Sequence, residues 1–63
     1  MSEQEFIDRL TALFRVHKKN ESITTILAHL LRLFNDVKVL RNGDYKTDTL
    51  FNIKRILDGL EGL

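Results

Sequence analysis

Between Ile23 and Leu40 the chain places apolar residues at the spacing of an α-helix and over a wide arc. At 3.6 residues per turn these side chains cover roughly 180° of the helix surface, whereas a surface helix needs a stripe of only about 100°. The pattern predicts a helix over about residues 22 to 40 that is covered from more than one side. Its apolar positions are Ile23, Ile26, Leu27, Leu30, Leu31, Leu33, Phe34, Val37 and Leu40.

A shorter amphipathic pattern precedes this helix. Ser2, followed three residues later by Glu5, has the sequence of a capping box, and apolar residues then recur at helical spacing. We therefore predict a first helix over about residues 3 to 19. Asn20 follows in a short polar break, where it could be the C′ residue of the first helix or the N-cap of the second. Because the break is short, the two helices should be antiparallel neighbours.

Residues 37 to 47 are compatible with two structures. Asn42-Gly43 between β-branched residues is a strong signal for a β-hairpin. Apolar and polar residues would be mixed on both faces of that hairpin, however, and an isolated hairpin is marginally stable. In the helical alternative the apolar face continues to Leu40, and Gly43 supplies a left-handed C′ residue. We favour the helix.

Thr47 or Asp48 is suited to cap a third helix, and Gly59 and Gly62 mark its decay. The chain has no proline, so long windows have nothing to interrupt a helix. The predicted fold is all-α, with residues 1 to 63 forming one small domain. It consists of a long antiparallel helical hairpin and a short C-terminal helix. The alternative is an α+β fold with a β-hairpin at residues 37 to 47 between the second and third helices.

Composition narrows the functional classes. The net charge is +1, which provides no general attraction to nucleic acid or to an anionic membrane. The absence of cysteine excludes disulfides and thiolate zinc sites, and nothing indicates an oxidising compartment. The N-terminus is acidic and polar, unlike a signal peptide, and no apolar run approaches the ~20 residues of a membrane span. We therefore expect a cytoplasmic protein that does not enter a membrane.

Candidate chemistry is sparse. His17 and His29 have no metal-ligand spacing, and they are more simply interpreted as residues at the end and at the edge of an apolar face. The hydroxyl residues near the helix starts lack a nearby base and a nucleophile elbow. We expect no enzymatic activity, no cofactor and no metal.

Basic residues form two groups in the sequence. Arg15, Lys18 and Lys19 end the first helix without an intervening acid, and Lys54 and Arg55 lie on the third. Such groups can contact phosphates. A small DNA- or RNA-binding module is therefore the alternative function.

The leading hypothesis comes from the excess of apolar residues in a short chain. A domain of 63 residues is close to the size at which oligomerisation aids stability, and the third helix also carries Phe51 away from its main apolar stripe. We predict a homodimer that binds a partner protein as a regulator or inhibitor. Its candidate interface residues are Leu27, Leu30, Leu31, Phe34, Val37 and Phe51.

Overall fold

The computed structural model describes residues 1 to 63 as three α-helices: α1 (Glu3–Val16), α2 (Glu21–Lys38) and α3 (Asp44–Glu61). Helices α2 and α3 contain 18 residues each, which corresponds to about 27 Å at 1.5 Å per residue. The molecule measures 36 × 19 × 19 Å, so the helices lie along its long axis. α1 and α3 run in one direction and α2 in the other. The predicted all-α three-helix unit is confirmed.

Side-chain caps begin the first two helices. The Ser2 hydroxyl accepts a hydrogen bond from the Glu5 backbone N–H at 3.1 Å, and the Asn20 side-chain oxygen accepts one from Ile23 at 3.1 Å. Asn20 is therefore the N-cap of α2. The Asn20 N–H donates to the His17 carbonyl at 2.8 Å, and this turn ends α1 at Val16, before the predicted residue 19.

No β-hairpin forms at residues 37 to 47. α2 continues through Lys38, and α3 begins at Asp44. Gly43 is not a left-handed C′ residue: its φ of 172° and ψ of 180° are extended, and it is the N-cap of α3. The Lys46 amino group instead donates to the carbonyls of Lys38 and Leu40, at 3.1 and 3.0 Å. A lysine side chain thus satisfies carbonyls at the end of α2, where a glycine was predicted to act.

The third helix is longer than the sequence suggested. It begins before the predicted caps Thr47 and Asp48, and it is as long as α2 rather than short. Gly43 has no side chain to signal this start. Gly59 lies inside α3, and Gly62 is its C-cap.

The core contains 11 buried residues, all of them apolar. At its centre the rings of Phe6 and Phe34 stack with their centroids 4.0 Å apart and their planes within 6°. No helix has the length and apolarity needed to cross a membrane. The buried residues are Phe6, Leu10, Leu13, Ile23, Leu27, Leu30, Phe34, Val37, Ile53, Leu57 and Leu60.

Candidate interaction surfaces

Most of the residues predicted to form an interface are packed inside the protomer. Leu27 is fully buried, and Leu30, Phe34 and Val37 are no more than 4% exposed. Leu31 is partly buried against the same core. In this structure α1 and α3 already cover these side chains, so a second molecule cannot reach them. The exception is Phe51, which is 58% exposed.

A different part of α2 remains open to solvent. Ile26 and Leu33 lie seven residues apart on α2 and are 41% and 38% exposed, and Leu40, which follows the C-cap Val39 beyond the end of the helix, is 42% exposed. His29 and Asp36, both exposed, lie between them. We call these five residues the α2 edge. The sequence analysis placed the three apolar members on the main apolar face, and their spacing gave no signal against this, because the buried Ile23, Leu30 and Val37 also recur every seven residues.

The α2 edge lies on the side of α2 that is turned away from α1. The Lys38 amino group contacts the Glu3 carboxylate of α1 at 3.1 Å, which marks the side facing α1. Leu33 is five positions before Lys38 and therefore lies about 140° around the helix from it. The α2 edge thus borders α3.

Helix α3 adds apolar surface beside the α2 edge. Asp58 and Glu61 mark the side of α3 that faces α1, because both bind Arg9 of α1. Ile56 lies about 140° or more around α3 from each of them, on the side toward α2. Its side chain is 43% exposed, and Tyr45 near the start of α3 is 68% exposed. The outer side of the α2–α3 pair therefore carries exposed apolar side chains from both helices.

The groove between α1 and α3 is closed at its middle by an ion-pair network. Arg9 donates from Nε and Nη2 to the two Glu61 carboxylate oxygens, at 2.8 and 2.6 Å, and Nη2 also contacts Asp58. Lys54 donates to the other Asp58 oxygen at 2.9 Å. The forked geometry of the Arg9–Glu61 pair is the strongest form of such a contact. Arg9 therefore links α1 to α3 through ion pairs with Asp58 and Glu61.

The network changes the pKa values of its members. Hydrogen bonds from Lys54 and then Arg9 hold the pKa of Asp58 below its usual range. The hydrogen bonds from Arg9 likewise lower the pKa of Glu61. Hydrogen bonds to Glu61 and Asp58 raise the pKa of Arg9 above its already high value. All three groups remain charged across the neutral pH range.

The basic residues predicted to contact phosphates do not form one patch. Arg15, Lys18 and Lys19 lie at the C-terminal end of α1 and take part in no ion pair. Lys54 is bound to Asp58 midway along α3. The neighbouring Arg55 lies over the Phe51 ring, with its guanidinium carbon 6.0 Å from the ring centroid. Of the two predicted groups, only Arg15, Lys18 and Lys19 make neither an ion pair nor a contact with an aromatic ring.

The exposed ring of Phe51 lies beside a shallow cleft on α3. The other residues that line this cleft are Met1, Thr47, Leu50 and Lys54. Phe51 is five residues before Ile56 and lies about 140° around α3 from it, so this cleft is separate from the α2 edge. We call it the Phe51 cleft.

The titratable residues show no grouping that indicates catalysis. His17 is partly buried near the end of α1, whereas His29 is exposed on α2. No three His, Cys, Asp or Glu side chains are close enough together to hold a metal ion. The surfaces with distinctive chemistry are therefore the α2 edge, the Phe51 cleft and the basic end of α1.

Comparison with known proteins adds no identity: no family model, no curated protein and no solved structure matches the chain.

Proposed function

We propose that this chain is a non-enzymatic helical protein that dimerises and binds a partner protein as a regulator or inhibitor. The observation that supports the proposal is the apolar surface left outside a complete core. Ile26, Leu33, Leu40 and Ile56 are each 38% to 43% exposed. Single exposed apolar side chains are ordinary, but several of them on one side of a molecule are typical of a protein interface.

Two separate surfaces are needed for a protein that both dimerises and binds a partner. The α2 edge is long and regular, which suits association with another helix. The Phe51 cleft lies elsewhere on α3 and presents an exposed aromatic ring, a residue type enriched at interfaces. Arg55 lies over the same ring, outside the cleft, with its guanidinium carbon 6.0 Å from the ring centroid. In our proposal the α2 edge serves the dimer, and the Phe51 cleft holds the partner.

The test uses tagged protein and its Phe51→Ala variant, each expressed in the native cell and recovered under identical conditions. Because Phe51 is 58% exposed, the variant should keep its fold and its oligomeric state. We expect at least one protein, identified by mass spectrometry, to be recovered with the unmodified chain and lost with the variant. That protein should then bind the purified chain directly, with an affinity that falls by about tenfold or more in the variant.

A matched control is Tyr45→Ala, which also removes an exposed aromatic ring from α3. This variant should retain the partner. Equal recovery with the Phe51 and Tyr45 variants would contradict the assignment of the cleft. Recovery of no specific protein, from a cell in which the chain is abundant, would contradict partner binding.

The alternative is a nucleic-acid-binding module, for which one observation remains favourable. Arg15, Lys18 and Lys19 carry no neutralising carboxylate within the protomer. Three phosphate contacts predict that the logarithm of affinity falls with a slope of about −2 to −3 against the logarithm of salt concentration. A gel-shift series at low and moderate salt tests this function, with Lys18→Glu as the variant and Arg41→Glu, at an exposed position outside both basic groups, as the control. Absence of binding at low salt would exclude it.

A further inference from the structure

We propose that two copies of this chain associate through the α2 edge, with their α2 helices antiparallel about a two-fold axis close to Leu33. The inference rests on the dimerisation proposed above and adds to it the surface and the pairing of residues. It is carried by the order of residue types along the edge, which is complementary to itself.

The polar members of the edge lie on either side of Leu33 along α2. His29 lies four residues before Leu33, and Asp36 lies three residues after it, whereas Leu40 lies beyond the end of the helix. A two-fold axis at Leu33 therefore places Ile26 of one copy toward the C-terminal end of α2 of the second copy. It places His29 within about 1.5 Å, along the helix axis, of Asp36 of the second copy. Each contact occurs twice, as two-fold symmetry requires.

The polar members of the edge are free to make this contact. Neither the His29 nor the Asp36 side chain takes part in any hydrogen bond or ion pair within the protomer. Arg32, four residues before Asp36 on the same helix, does not pair with it either. A basic and an acidic side chain without partners thus flank the central leucine on each copy.

The surface also offers a place for the central side chain. His29, Arg32, Leu33 and Asp36 line a shallow depression on α2. When two copies meet at Leu33, each leucine enters the depression of the other molecule. Ile56 of α3 flanks the same groove and extends the apolar contact beyond α2. The arrangement is a four-helix layer in which α2 of each copy lies in the groove between α2 and α3 of the other.

Charge distribution selects a second copy of this chain in the antiparallel direction. A parallel pair of α2 helices would place His29 beside His29 and Asp36 beside Asp36, which leaves the two carboxylates facing each other. The antiparallel pair places each carboxylate beside an imidazole and within reach of an arginine. Complementary charges of this kind fix the register and orientation of an interface.

The first experiment measures association by sedimentation equilibrium over a range of concentrations. The unmodified chain should dimerise, and Leu33→Glu should be monomeric, because it brings two carboxylates together on the axis. Val16→Glu is the matched control: Val16 is 74% exposed on α1, outside the α2 edge, and its variant should still dimerise. Circular dichroism should show that both variants remain helical.

The second experiment does not depend on a destabilising charge. Because the chain has no cysteine, single-cysteine variants report contacts without background. Leu33→Cys lies on the proposed axis and should form an intermolecular disulfide under mild oxidation. His29→Cys and Asp36→Cys should cross-link with each other when mixed, more than either does alone. Val16→Cys is the control and should remain largely monomeric.

A charge exchange tests the pairing itself. His29→Glu should weaken the dimer by more than about tenfold, because it places a carboxylate opposite Asp36 of the second copy. The double variant His29→Glu, Asp36→Lys reverses the pair and should bring the dissociation constant back to within about threefold of the original value.

The outcomes separate this inference from the function on which it rests. If the unmodified chain stays monomeric at about 0.1 mM, both dimerisation and this interface are wrong. If it dimerises but Leu33→Glu dimerises equally well, or if Leu33→Cys cross-links no better than Val16→Cys, dimerisation stands and the α2 edge is wrong. If the charge exchange fails to restore a dimer that His29→Glu weakens, the antiparallel register is wrong.

Discussion

Replacing Gly59 with alanine should stabilise the protein. Gly59 lies within α3, and a β-carbon added there meets no other atom within 4 Å. Glycine costs about 0.5–1 kcal/mol relative to alanine inside a helix, because the unfolded chain loses more backbone freedom when it folds. The residue lies in the last turn of α3, so the lower part of that range is expected. For a domain of this size, about 0.5 kcal/mol raises Tm by about 2–4 °C.

Gly62→Ala provides the comparison. Gly62 is the C-cap of α3 with a φ of −81°, a backbone conformation that alanine also adopts. Its added β-carbon would lie 3.5 Å from the Gly59 carbonyl oxygen, which is ordinary contact. The loss of freedom in the unfolded chain applies to Gly62 as well, but this residue lies beyond the last residue of α3, where the folded backbone frays more than inside a helix. The change in Tm should therefore be smaller than for Gly59→Ala.

Both variants can be measured by thermal and urea unfolding followed by circular dichroism. Association would raise the apparent stability, so all samples should have the same low protein concentration. An unchanged m-value would show that the surface exposed on unfolding is the same. If Gly59→Ala lowers Tm, or if Gly62→Ala stabilises by as much, α3 does not extend through Gly59 in the folded protein and the reasoning is refuted.

Four further predictions test the packing, the ion pairs and the start of α3. Phe34→Glu should abolish cooperative folding, because Phe34 is 4% exposed and stacked on the Phe6 ring. The control Phe51→Glu, at a 58% exposed position, should fold normally. A folded Phe34→Glu protein in circular dichroism would contradict the assignment of Phe34 to the core. Arg9→Gln removes two ion pairs and should lower the free energy of unfolding by about 1 kcal/mol or less in low salt. The loss should be smaller in 1 M salt, because salt screens the charges. The control Arg15→Gln breaks no ion pair and should have little effect. Folding lowers the pKa of Asp58 and Glu61, the two carboxylates that bind Arg9. Their contribution to the free energy of unfolding should therefore be constant above about pH 5 and be lost below about pH 4, as they are protonated. In Arg9→Gln this loss of stability in acid should be smaller. Gly43→Ser should raise Tm by a few degrees, since Gly43 is an extended N-cap without a side-chain hydrogen bond, and no gain would indicate that α3 starts elsewhere.

The starts of α1 and α2 were predicted from the sequence because a side chain caps each of these helices. Ser2 and Asn20 are N-caps because their oxygens accept hydrogen bonds from backbone groups three residues later, a contact that depends only on nearby chain. The start of α3 lacked this signal, since its N-cap is Gly43. The prediction therefore moved to Thr47 or Asp48, and the third helix was predicted to be too short.

The ambiguous segment shows how a tertiary contact replaces a local one. Asn42-Gly43 indicates a tight turn, and the sequence alone could assign it to a hairpin or to a helix end. In the structure the Lys46 amino group binds the carbonyls of Lys38 and Leu40. This contact exists only when α3 has already formed beside the end of α2, so the local pattern of residues did not reveal it.

The exposure of the residues on α2 was not predicted by their periodicity. Periodicity identified the whole apolar arc of α2, but it did not distinguish the buried Leu30 from the partly exposed Leu33. In the structure Leu30 is 4% exposed and Leu33 is 38% exposed. The Arg9 network was also missed, because Arg9 and Glu61 are 52 positions apart in the chain.

The sequence by itself determined that this protein is helical and approximately where α1 and α2 begin, because capping, helix propensity and apolar periodicity act over a few neighbouring residues. Only the tertiary structure decided which side of α2 is core and which side is open. Helices α1 and α3 cover only part of the circumference of α2, and they leave Ile26, Leu33 and Leu40 partly exposed. Burial depends on the neighbours that surround a side chain, and the wide apolar face on α2 could not reveal where those neighbours would stop.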